Sequence, residues 1–156
     1  RPPRSTLFPY TTLFRSLQWL DQQAQSDTKF SLRAVIDYGC GSGILAIAAL
    51  LLGCQTAWAT DIDPLAIEST HYNAQRNSIE PARLICGVVD QVELPCADIL
   101  VANILAGPLA ELAPLLAEHC RPSGKLILSG LLESISTFGA LGKSNRRDDA
   151  RLSKLV

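Results

Sequence analysis

Apolar and polar positions fall into short blocks along this chain. Residues 17–25, LQWLDQQAQ, have the spacing of a short amphipathic helix, and 26–31 form a polar connection. From residue 34 the pattern is regular. An apolar run at 34–38 predicts a buried strand, and the apolar stretch 43–52 predicts a helix, with Gly53 where a helix-ending glycine belongs. A second strand is predicted at 56–60. A second helix follows to about residue 77, with Asp63 as N-cap and Pro64 in the first helical position. Strands are predicted at 83–89, 98–102 and 125–129, the second of these continuously apolar after Asp98, as when both sheet faces are covered. Between the last two lie a helix at 107–120, which Pro114 kinks or divides, and a turn at 122–124.

Strands alternating with helices predict right-handed crossovers and a doubly wound, mostly parallel α/β sheet. Such sheets bind ligands beyond the carboxyl ends of their strands, where strand order reverses. The chemistry is therefore expected just after the strands, at 37–43, 61–64, 90 and 103–108. Beyond Gly130 the pattern decays, and from Gly142 onward five basic and two acidic side chains suggest a solvated tail.

Composition narrows the function class. The 156 residues are one domain's worth, with 47% hydrophobic and 19% charged residues, as in a soluble globular protein. A net charge of -1 gives no basic field for nucleic acid and no polybasic membrane patch. The longest apolar stretch, 44–52, is far short of the ~20 residues that span a bilayer. No signal peptide is evident, so a cytoplasmic protein is expected. Cys40, Cys54, Cys86, Cys96 and Cys120 are widely spaced with no C-x-x-C pair, and His71 and His119 lie far apart. Small buried thiols are expected, with neither a disulfide framework nor a metal site.

The distinctive stretch is VIDYGCGSGILAIAAL at 35–50, a strand, a glycine loop and a helix. Dinucleotide folds use G-x-G-x-x-G at this place. Here Gly39, Gly41 and Gly43 follow a G-x-G-x-G spacing, and Ile44 stands where the third dinucleotide glycine belongs. Asp37 precedes the loop, where a carboxylate would repel a pyrophosphate and attract a cation. The loop thus favours S-adenosylmethionine, which has an ammonium and a sulfonium but no phosphate, over a nicotinamide dinucleotide. Asp61 follows the second strand, twenty-two residues after Gly39, and can accept hydrogen bonds from both ribose hydroxyls. Asn103 ends the fourth strand. Its carbonyl can hold an amine nucleophile with the lone pair aimed at a methyl carbon, a positioning task central to in-line transfer.

With these motifs in place, LQWLD, VIDYGCGSGILAIAAL, TDIDPLAIESTHYNAQRN and DILVANILAGPLAELAPLL together resemble the PrmA family of ribosomal-protein methyltransferases. The resemblance covers about residues 17–132, and VANILAGPL is its most specific part. It implies a class I S-adenosylmethionine-dependent, Rossmann-like fold. It also implies methyl transfer to lysine side chains and the N-terminal amine of large-subunit ribosomal protein eleven, by a monomer with no nucleic-acid or membrane partner. By this resemblance Gly39, Asp61 and Asn103 contact the cofactor. Asp37 and Gly41 join them from the reading of the loop, and Asn103 is the catalytic candidate. A related methyltransferase with another small-molecule or protein acceptor, and an inactive fragment, stay open as alternatives.

The departures from the family are as informative. Its N-terminal recognition domain has no counterpart here, nor has its glycine- and threonine-rich loop upstream of LQWLD. Thr11-Thr12 stands at a similar distance but without the preceding glycines. Residues 1–16, RPPRSTLFPYTTLFRS, instead resemble a translated sequencing adapter, contain three prolines, and are expected to lie outside the fold. The core is expected at 17–138 and a tail at 139–156. The family sheet has seven strands, the last two an antiparallel pair. Only five strands are convincing here, so that pair is expected to be missing.

Overall fold

The structure, a computed structural model, describes residues 8–104, 106–129 and 136–139. The elements run α1 (Phe8–Ser26), β1 (Ala34–Tyr38), α2 (Ile44–Leu51), β2 (Thr56–Asp61), α3 (Pro64–Arg76), β3 (Leu84–Val88), β4 (Ala97–Asn103), α4 (Ala106–Glu118), β5 (Cys120–Ser129) and β6 (Ser136–Gly139). They build one sheet in the order β3-β2-β1-β4-β5-β6. The first five strands are mutually parallel, and β6 pairs antiparallel with β5. Strand order reverses at β1, whose neighbours β2 and β4 lie on opposite sides, so the switch point falls at its carboxyl end.

The strands alternate between two buried faces. Val35, Ala57, Ala59, Ile99, Val101 and Ile127 point to one, where Leu20 of α1, Leu45 and Ala49 of α2 and Ile67 of α3 cover them. Ile36, Tyr38, Leu100, Ala102, Leu126 and Leu128 point to the other, against Leu116 of α4. Burying each such Leu or Ile contributes roughly 1.5–3 kcal/mol. β1 and β4 gain most, because both faces of both strands are covered.

Three expectations are corrected. First, residues 8–16 are not outside the fold: α1 begins at Phe8 and continues through LQWLD. The reason is an i, i+3/i+4 stripe of Leu13, Ser16, Leu17 and Leu20, in which Ser16 and Leu20 are fully buried and both leucines 13 and 17 pack on the core. Second, an antiparallel strand does close the β5 edge, so the C-terminal pairing is not wholly lost. Third, the segment 122–124 is part of β5 rather than a turn before it. It lies where the β4–β5 register jumps from Ala97↔Cys120 to Ile99↔Lys125, which leaves the extra residues of β5 as an irregularity in the ladder.

The remaining elements match the sequence reading closely. Asp63 caps α3, its carboxylate accepting from the Leu65 N–H at 2.9 Å with Pro64 in the first turn. Pro114 is accommodated within the single helix α4. The 140–156 part of the expected tail lies outside the described residues.

At the opposite end of the strands from the switch point, an ionic clamp ties β1, β4 and β5. Asp98 Oδ1 receives Arg33 at 3.2 Å and Arg121 at 2.9 Å, while Oδ2 accepts from the Ala34 N–H at 2.9 Å.

Candidate active site

The loop between β1 and α2 turns sharply over the end of β2. The N–H groups of Gly39 and Cys40 both donate to the Thr60 carbonyl, at 2.8 and 3.0 Å. Gly39, Gly41 and Gly43 all have positive φ, at 74°, 54° and 76°. At two of these the absent side chain also matters. A Cβ on Gly39 would lie 2.5 Å from Ile104 Cγ2, and one on Gly43 would lie 2.5 Å from Thr70 Cγ2. Glycine is needed there both for the left-handed backbone and for close approach. Above Gly41 nothing lies within 4 Å of a would-be Cβ, so this glycine faces open space.

The predicted acids divide into two roles. Asp61, at the end of β2, holds the loop: its Oδ2 accepts from the Gly41 N–H at 2.9 Å and its Oδ1 from the Asp63 N–H at 3.0 Å. Asp61 is half-buried, and each oxygen keeps a further lone pair for a ligand hydroxyl. Asp37, expected among the cofactor contacts, lies beneath the loop rather than on its open side. It is 1% exposed, between β1 and the first turn of α2, where its Oδ2 accepts from the Ala46 N–H at 3.0 Å. Its Oδ1 is buried without a hydrogen-bond partner. Burial pushes this carboxyl up to about 7, the Ala46 N–H opposing and the Asp61 charge adding to the rise.

Asn103 is the last residue of β4 and pairs with Ser129. Since Tyr38 pairs with Ala102, Asn103 and Gly39 are the next residues along two adjacent strands. Gly39, Gly41, Asp61 and Asn103 thus meet at the switch point, with Asp37 below the loop. Two residues escaped the sequence reading. Thr70 Oγ1 donates to the Gly41 carbonyl at 3.1 Å, and Asn73 Nδ2 donates to the Ser42 carbonyl at 2.9 Å. The available signal was a polar Thr70 inside the buried stripe Ile67, Thr70, Ala74 of α3.

The donor set fits S-adenosylmethionine. An open glycine backbone suits close approach of the ligand, a carboxylate with spare lone pairs suits a ribose diol, and a buried, unpartnered carboxylate oxygen beneath the loop suits a cationic ligand rather than a pyrophosphate. Among the described residues no group of three or more His, Cys, Asp or Glu is arranged to hold a metal ion.

Sheet order and a glycine loop clasped by the acid of the next strand define a class I, Rossmann-like methyltransferase domain. An RNA methyltransferase from Salinibacter ruber, solved with S-adenosyl-L-homocysteine, shares this fold at TM-score 0.66 and 16% identity, over 83% of this chain and 93% of that one. Residues 9–137 match the family model described as ribosomal protein L11 methyltransferase (PrmA), and the chain belongs to that family. The ribosomal protein L11 methyltransferase of Azotobacter vinelandii is 53% identical over 116 residues, which are 74% of this chain and 38% of the relative. The crystal structure of ribosomal protein L11 methylase from Lactobacillus delbrueckii subsp. bulgaricus aligns at TM-score 0.63 and 33% identity, over 75% of this chain and 59% of that one. The chain therefore spans well under half the length of the curated relative.

Proposed function

We propose that this chain carries the cofactor-binding and catalytic core of a protein N-methyltransferase that acts on amines of ribosomal protein L11. The observation that carries the reading is the convergence of Gly41, Asp61 and Asn103 at the switch point, with the Asp61 carboxylate bonded to the loop at 2.9 Å. S-adenosylmethionine, when bound, supplies an electrophilic methyl group. The chain's own residues bind and orient. The loop backbone around Gly39 and Gly41 receives the amino-acid end, and Asp61 receives the ribose hydroxyls. Asp37 in its ionised form places negative potential beneath the loop, which favours a cation above it. Asn103 holds the acceptor amine through its side-chain carbonyl, so that the lone pair faces the reacting carbon. Family membership supports ribosomal protein L11 as the acceptor and the cytoplasm, where ribosomal proteins are made, as the setting. The proposal takes the family-matched residues 9–137, most of α1 included, as the core to which these roles belong.

The test is transfer of labelled methyl from S-adenosylmethionine to purified L11. Label on L11 amines, lost on Asn103→Ala with cofactor binding retained, is the expected result. Label on another acceptor but none on L11 would refute the substrate assignment.

A further inference from the structure

α3 grips the glycine loop through Thr70 and Asn73. Thr70 is fully buried, and its hydroxyl has one route to satisfaction with the loop backbone, the Gly41 carbonyl at 3.1 Å. The Gly41 N–H in turn donates to Asp61 Oδ2 at 2.9 Å. Gly41 is therefore held at both ends of its backbone, by the ligand-facing acid through its N–H and by α3 through its C=O. The circuit closes through the helix start. Asp61 Oδ1 accepts from the Asp63 N–H at 3.0 Å, and Asp63 caps α3, the helix that carries Thr70.

Packing reinforces the connection. Thr70 Cγ2 occupies the space a Gly43 side chain would need, and Thr70 Oγ1 lies 3.5 Å from Cys40 Sγ. Three of the five loop residues thus touch one side chain. One turn further along, Asn73 Nδ2 bonds the Ser42 carbonyl at 2.9 Å. A threonine at a fully buried helix position gives up hydration of its hydroxyl, a loss that a single loop carbonyl offsets. Valine would fill the same volume without that loss, so simple packing of α3 does not call for a hydroxyl.

We propose that Thr70 is a positioning residue for the cofactor. By fixing the Gly41 carbonyl it restrains the backbone on both sides of the Gly41 Cα, keeps the Gly41 N–H aimed at Asp61, and so holds the Asp61 carboxylate in the orientation that receives the ribose. This deepens the function proposed above and rests on it. Thr70 itself does not touch the ligand; it acts through one residue, Gly41, whose C=O and N–H belong to adjacent peptide planes.

The test is a thermodynamic cycle read by titration calorimetry, with S-adenosylmethionine and with 5′-methylthioadenosine, which has the ribose but not the amino-acid end. Thr70→Val is expected to weaken both ligands by the same factor, about three- to tenfold, the range for one lost hydrogen bond. In an Asp61→Ala background the same substitution is expected to change neither affinity. Thr70→Ser, which keeps the hydroxyl, should stay within about twofold of the parent, as befits an effect carried by the hydroxyl bond. Should Thr70→Val not fold, Thr70→Cys, with a weak donor at similar volume, takes its place with an intermediate loss expected. Equal losses in the Asp61 and Asp61→Ala backgrounds, or an equal loss for Ser and Val, would overturn the proposal while leaving the function reading intact. Failure of the unmodified chain to bind either ligand would overturn the reading on which it rests.

Discussion

The replacement Asp37→Asn should abolish the pH dependence of stability that this carboxyl imposes. Asp37 is fully buried, its carboxyl raised from an ordinary 3.8 to about 7, and one of its oxygens has no partner. Below pH 3.8 the acid is neutral in both folded and unfolded chains. Between 3.8 and about 7 the folded chain keeps its proton while the unfolded chain loses it, so stability falls as pH rises and levels off above about 7. At about 1.4 kcal/mol per pH unit the full effect is about 4 kcal/mol. Asparagine cannot ionise. Its carbonyl can still accept from the Ala46 N–H, but its buried amide N–H groups then replace an oxygen that makes no hydrogen bond, and leaving them unsatisfied costs about 1–3 kcal/mol.

The parent has given up only about 1 kcal/mol of its pH-dependent stability by pH 4.5, so the variant should be less stable than the parent there by up to about 2 kcal/mol, and more stable near pH 8.5 by about 1–3 kcal/mol. Urea unfolding at 25 °C, followed by tryptophan fluorescence across that range, measures it. Titrations elsewhere in the chain are common to both proteins and cancel in the difference. Parallel stability profiles, or a parent that gains on the variant as pH rises, would refute the reasoning.

Other outcomes follow from single contacts. Gly43→Ala should cost about 2–4 kcal/mol in thermal or urea unfolding, combining a left-handed backbone with a 2.5 Å approach to Thr70 Cγ2; loss below about 0.5 kcal/mol would contradict that geometry. Asp98→Ala should cost about 1–3 kcal/mol, a buried-pair loss reduced because Arg33 and Arg121 are 34% and 50% exposed. Burial raises the Asp98 carboxyl, but the Ala34 N–H and Arg121 outweigh it and hold it below the ordinary value. Its contribution should therefore be present above that value and disappear as pH falls through the lowered one. In thiol labelling of the native chain, exposed Cys96 should react first. Cys54, pushed up to about 12 by burial, should react only on unfolding; early labelling of Cys54, read by peptide mass spectrometry, would contradict its burial.

The central sheet could be read from the chain because its strands are short apolar runs bounded by glycine, proline and aspartate. The switch point followed from their alternation with helices. The placement of Gly39, Gly41, Asp61 and Asn103 was legible for the same reason: each stands at the end of a strand or in the loop after it, where side chains leave the core. What escaped was set by long-range contact. The stripe Leu13, Ser16, Leu17, Leu20 was hidden by Pro9 and by a buried serine at one of its positions. β6 is four residues long and gains its place only by pairing with β5. Residues 122–124 look like a turn because Pro, Ser and Gly favour one, yet β4 draws them into an irregular ladder. The grip of Thr70 on Gly41 joins residues 29 apart and has no local signature. The burial of Asp37 was equally invisible, since the same aspartate before a glycine loop can face a ligand or lie beneath it.

The most direct test of the account is calorimetric titration of the purified chain with S-adenosylmethionine and, separately, with NAD. The glycine spacing, the open cradle over Gly41 and the Asp61 clasp predict one-to-one binding of S-adenosylmethionine, weakened at least tenfold by Asp61→Ala, the loss of about 1.4 kcal/mol expected when paired ribose hydroxyls lose their acceptor. They predict no heat with NAD. Binding of NAD without S-adenosylmethionine, or S-adenosylmethionine affinity indifferent to Asp61, would contradict it.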